Sequence, residues 1–112
     1  MTYVLQVTST AKRDQRDAVC WYAEHYSKPF AKRWNDGIEL AIASLRNNPE
    51  RCGLVHENER LSMDVRQLVY RTAKRQKHRI LFTIDGGTVY VLRIRHSSRF
   101  DIEEEELPEK TD

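Results

Sequence analysis

Ala31, Trp34, Ile38, Ala41, Ile42 and Leu45 recur at steps of three, four, three, one and three residues, which places six apolar side chains on one face of an α-helix. Pro29 suits the first turn of that helix, where its missing amide proton would have no partner, and Asn47-Asn48-Pro49 ends it. A second stripe precedes it. Ala11, Ala18, Val19, Tyr22, Ala23 and Tyr26 carry helical spacing as far as Ser27; Ser9 or Thr10 can cap the start, with Asp14 and Asp17 near the positive end of the dipole. Two helices joined by so few residues must lie antiparallel, as a helical hairpin. Trp21 falls off the first stripe and fits either a cap on the hairpin's edge or a stacking surface for a ligand.

Strands surround this hairpin in the sequence. Tyr3 to Thr8 opens the chain with β-branched and aromatic residues, and three further runs follow at Val65 to Arg71, Arg79 to Ile84 and Thr88 to His96. The last two are joined by Asp85-Gly86-Gly87, whose glycines tolerate the positive φ of a hairpin turn. Residues 50–64 read as an irregular polar loop. The order β-α-α-β-β-β predicts an α+β fold, with an N-terminal strand and the helical hairpin on one face of an antiparallel sheet.

At 112 residues the chain has room for one core, expected over 1–100. With 39% hydrophobic residues it is too apolar for a disordered chain, yet it has neither a bilayer-length apolar run nor a signal peptide. A soluble cytoplasmic protein without a membrane partner is expected. Cys20 and Cys52 form no C-x-x-C or zinc spacing and read as reduced, mostly buried thiols.

Charge is divided unevenly. Residues 1–100 carry 18 Lys and Arg against 10 Asp and Glu, whereas 101–112 hold seven acids and one Lys, so a body of +8 meets a tail of −6. The tail reads as a solvated, mobile end. Within the body, Arg66, Arg71, Lys74, Arg75, Lys77 and Arg79 follow one another with no acid between them. Such a run suits phosphate oxygens, and it equally suits an exposed basic hairpin that keeps the chain soluble.

Strand alternation sharpens the picture. Ile80, Phe82 and Ile84 share one face, Tyr90, Leu92 and Ile94 share one face of the next strand, and both faces are expected under the helices. Arg79, Arg93 and Arg95 then point to the uncovered side, where three guanidiniums could recognise an anion, or simply be the polar side of a half-exposed sheet.

No Gly-rich phosphate loop, metal-binding helix or nucleophile elbow is present, and the four histidines lack ligand spacing, so no metal or cofactor is expected. The one catalytic scheme the residues support is metal-free RNA cleavage. His96 would carry the proton, with Arg79 and Arg66 stabilising the phosphate; a structural His at a strand end is the alternative.

These features in order resemble the RelE/ParE superfamily of toxins from bacterial type II toxin–antitoxin systems. The resemblance rests on the opening strand with Ala11, on Tyr22-Ala23-Glu24, and on the Ala31, Ile38, Leu45 stripe before Asn48-Pro49-Glu50. It continues through Val65-Arg66-Gln67-Leu68, His78-Arg79-Ile80, and Val89 to Arg95 leading into His96-Ser97-Ser98-Arg99. The long helices and the His96-x-x-Arg99 ending followed by Asp101 look more like the ParE branch. That branch implies a toxin that binds and inhibits DNA gyrase and is neutralised by a cognate antitoxin, with Arg66, Arg71, Arg79, Arg93, Arg95 and Arg99 meeting the target. The RelE branch implies instead a ribosome-dependent mRNA endonuclease using Arg66, Arg79 and His96. A degenerate relative serving only as an interaction module is the third possibility.

Overall fold

A computed structural model describes residues 2–73 and 75–112. Strand β1 (Val4–Val7) leads into helix α1 (Ser9–His25) and helix α2 (Lys28–Ala43); strands β2 (Arg66–Ala73), β3 (Gln76–Asp85) and β4 (Thr88–His96) follow. Both helices start as side-chain chemistry dictates. Thr8 accepts from the Ala11 amide and Ser27 from the Phe30 amide, so each hydroxyl satisfies one of the free donors of a first turn. Short 3-10 turns at Ser44–Arg46 and Pro49–Arg51 finish the second helix, and Asn48 between them takes a left-handed φ of 50°. Gly86 does the same in the β3–β4 turn, at φ 61°.

The sheet order is β1-β4-β3-β2. Strands β2, β3 and β4 are antiparallel neighbours, while β1 joins β4 in parallel, because the helical hairpin carries the chain across the sheet before β2 begins. The expected α+β order is therefore present, with a parallel edge strand on an otherwise antiparallel sheet. The helices cover one face. Ala11, Tyr22, Ala31, Trp34, Ile38, Ile42 and Leu45 pack there on Ile80, Phe82, Val89, Val91 and Ile94. Burying each large aliphatic or aromatic side chain of this kind contributes about 1.5–3 kcal/mol. Gly37 of α2 permits close approach to β2, since a Cβ there would collide with the Tyr70 hydroxyl.

Two expectations are corrected here. Ile94 faces the helices as expected, but Val89 and Val91 face them in place of Tyr90 and Leu92. Phe82 pairs with Val91 and Leu81 with Arg93, so Leu92 is the extra residue of a β-bulge that breaks the two-residue alternation. The outer face of the sheet is also not bare. Leu81 and Leu92 pack there on Val55, Val65 and Ile102, with Leu61, Met63, Tyr90 and Leu107 around them. The polar connection after α2 and the acidic tail supply this second cluster. Ile102 is 1% exposed, so the tail starts as a docked segment, not a solvated one.

Candidate functional site

The arginines of the outer face are held by the chain itself. Arg79 on β3 donates through Nη1 and Nη2 to the two carboxylate oxygens of Glu57, at 2.9 and 2.8 Å, and through Nε to Gln67. Glu57 also accepts the Ile102 amide. Burial alone would raise the Glu57 carboxyl, but the Arg79 and amide hydrogen bonds outweigh it and pull the group down to about 2. Arg93 donates to both oxygens of Asp14 on α1, and its remaining Nη1 donates to the Glu106 carbonyl. Arg95 pairs with the Glu106 carboxylate at 3.0 Å. Arg66 donates to the Glu50 and Cys52 carbonyls and so fastens the loop after α2.

The expected convergence of Arg79, Arg93 and Arg95 on an open anion site is thereby corrected, since each already has an internal acceptor. Nor do Arg66, Arg79 and His96 assemble into one catalytic site. Arg79 lies on the outer face beside Glu57, whereas His96 pairs across the ladder with His78, next to the helices. Arg66 pairs with Phe82, near the opposite end of β3.

His96 belongs to a different group. A cavity of about 520 Å³ opens between α1 and the C-terminal half of β4, lined among others by Trp21, Tyr22, Arg75, Gln76, His78, His96 and Arg99. The Ser98 amide donates to His96 Nδ1, which leaves the proton on Nε2, 3.2 Å from Gln76 Oε1. Tyr22 donates to the same Gln76 oxygen at 2.6 Å. The Trp34 indole donates to His78 Nδ1 at 3.4 Å. Burial, with His96 adding to it, lowers His78 to about 4, so it stays neutral at physiological pH. Burial raises Tyr22 to about 12, helped by Tyr26 and Tyr70. Hydrogen bonds fix the orientation of both rings, and no described carboxylate is hydrogen-bonded to His96.

Four cations without a carboxylate partner among the described residues gather at one end of the sheet. They are Arg71 and Lys77, which are cross-strand neighbours, and Arg75 and Arg99, which line the same cavity rim; others without such a partner, including Lys12, Arg13, Arg16, Lys28 and Arg33, lie on the helices. Lys74, of the same basic run, lies outside the described residues. Phe100 follows Arg99 and is 90% exposed, the barest large apolar side chain described. Thus Arg71 and Arg99, of the six arginines expected to meet a target, are available for it. Sequence reasoning missed Glu57, Gln76 and His78. For His78 the signal was present, since it stands two residues before Ile80 in the same alternation; for Glu57, inside an apparently irregular loop, there was none.

His56, Glu57 and Asp101 bring three ligand-type atoms within 4.8 Å of one another. Both carboxylates are already met by guanidiniums, Glu57 by Arg79 and Asp101 by Arg60, so the group is neutralised from within. No described helix is long and apolar enough to cross a membrane.

Residues 5–99 match the family model described as ParE toxin of type II toxin-antitoxin system, parDE. Among solved structures, a chain from the chromosomal ParDE TA system from P. aeruginosa is similar, with 21% sequence identity and a TM-score of 0.67. The match covers 85% of this chain and 96% of that one, and shows a shared fold. No curated protein matches in sequence.

Proposed function

The chain belongs to the ParE toxin family of type II toxin–antitoxin systems, and from that premise we propose that it acts by binding and inhibiting DNA gyrase and that a cognate antitoxin neutralises it. The observation that carries this reading is the sheet end that presents Arg71, Lys77, Arg75 and Arg99, with the bare ring of Phe100 next in the chain after Arg99. Arginine and aromatic side chains dominate the energetic centres of protein interfaces, and a rim of unpaired cations steers an acidic partner to them. The separation of Arg66, Arg79 and His96 supports a binding protein over a metal-free nuclease, because general acid–base cleavage needs its groups around one phosphate.

The test is a supercoiling assay with purified gyrase and relaxed plasmid. The wild-type chain should block supercoiling, and the protein encoded beside it should restore it. Arg71→Glu with Lys77→Glu, and separately Phe100→Ala, should each weaken inhibition at least tenfold while leaving the fold intact. Unimpaired supercoiling, together with cut mRNA on programmed ribosomes, would reverse the assignment.

A further inference from the structure

The family match stops at residue 99, and the segment beyond it crosses the outer face of the sheet. Ile102 is fully buried against Val55, Val65, Leu81 and Leu92, and its amide donates to Glu57. From there the chain is held by a row of side-chain contacts. Glu104 accepts from the Ser62 amide and hydroxyl, the Glu106 carboxylate pairs with Arg95 while its carbonyl accepts from Arg93, and Leu107 joins the apolar cluster. Lys110 reaches Asp85 and lies over the Tyr90 ring, and Asp112 accepts from Ser9 and Thr10 at the start of α1. Residues 103–112 contain six acids and one Lys, so a segment of net −5 lies on the arginines of a basic body.

We propose that the outer face around Arg95, Leu92 and Tyr90 is a docking surface for an acidic, leucine-bearing segment of a partner protein, and that residues 103–112 occupy it in cis as a displaceable strap. The occupant's chemistry is read from what the chain itself places there: a carboxylate on Arg95 and an aliphatic side chain one residue later in the apolar cluster. Apart from the partly buried Leu107, the strap is held by partly or fully exposed ion pairs and hydrogen bonds, which are individually weak and screened by salt. It wins by tethering, since a short linker gives an effective concentration near the millimolar range. A partner segment with a longer apolar-acidic match displaces it and gains Arg95. The inference rests on the antitoxin reading only in taking the neutralising protein as that partner.

The test uses the full-length chain in three forms, with NMR labels on Leu methyls and Arg Nε. One is wild type. An opened form carries Glu106→Lys and Leu107→Asp. A closed form carries Thr10→Cys and Asp112→Cys in a Cys20→Ser background, which ties the strap's end to α1. The probe is the peptide DIEEEELPEKTD, added in trans to millimolar concentration. The Leu92 methyl and Arg95 Nε–H signals of the opened form should shift with a midpoint at least tenfold below that of wild type. The closed form should show no shift until dithiothreitol is added. If the opened form fails to fold, Glu104→Gln with Glu106→Gln, which leaves Leu107 in the apolar cluster, replaces it with the same expectation. Equal midpoints in opened and wild-type chains, no shift at Leu92 and Arg95 in the opened chain, or binding by the oxidised closed form overturns the proposal. Neither gyrase nor antitoxin enters this assay, so its failure alongside intact gyrase inhibition condemns the strap alone, and the reverse result condemns only the gyrase reading.

Discussion

Replacing Arg79 by Met leaves the Glu57 carboxylate in the second cluster without its guanidinium partner. Glu57 is 1% exposed and Arg79 8%, and two hydrogen bonds of 2.8–2.9 Å join them. Removing one member of such a buried pair costs about 3–5 kcal/mol, because the other charge stays desolvated. That is a large share of a total stability of roughly 5–15 kcal/mol. Glu57→Gln with Arg79→Met removes both charges, keeps an acceptor for the Ile102 amide, and should recover most of the loss. An independent scale comes from acid titration. The folded carboxyl sits at about 2 against an ordinary 4.5, which at about 1.4 kcal/mol per unit is worth about 3 kcal/mol. A depressed carboxylate stabilises fully above 4.5 and loses that contribution as pH falls to 2. Urea unfolding of wild type, both single variants and the double variant, at pH 7 and in steps down to pH 2.5, measures both quantities. Exposed carboxylates away from the pair, such as Glu104 and Asp112, lose their contributions equally in all four proteins, so the difference curves isolate the Glu57 group. The reasoning fails if Glu57→Gln keeps the wild-type acid slope, or if the double variant loses the sum of the two single losses.

Further expectations follow from the same structure. Gly37→Ala, which in an ordinary helix interior gains up to about 1 kcal/mol, should instead destabilise by about 1–3 kcal/mol, because its Cβ meets the Tyr70 hydroxyl; Tyr70→Phe should rescue part of this in thermal melts. The His78 ring should titrate near 4 by NMR. Since the unfolded ring takes its proton near 6.5, His78 should remove about 3 kcal/mol of stability as pH falls from 6.5 to 4, a component absent from His78→Phe. Ile102→Ala should cost about 2–5 kcal/mol in chemical denaturation if the segment after Asp101 is part of the core; a loss under 0.5 kcal/mol would show that its contacts carry no stability.

Where local periodicity governed the outcome, the sequence was sufficient. The α2 stripe from Ala31 to Leu45 produced the buried helix face, and Ile80 and Phe82 produced the matching face of β3. Reading β4 the same way failed at a single residue. The bulge at Leu92 depends on how β4 pairs with β3, and one inserted residue exchanges the faces of the residues before it.

The chain's residues by themselves determined the element order, the helical hairpin, the single main core and the excess of positive charge before residue 100, because each follows from spacing or counting along the chain. Only the tertiary structure decided which of those charges are free. Arg93 meets Asp14 from 79 residues away and Arg79 meets Glu57 across 22, while Arg71 and Arg99 meet no acid among the described residues. A charge count is additive and blind to distance, whereas pairing falls off within a few ångströms and is fixed by which segments the fold brings together.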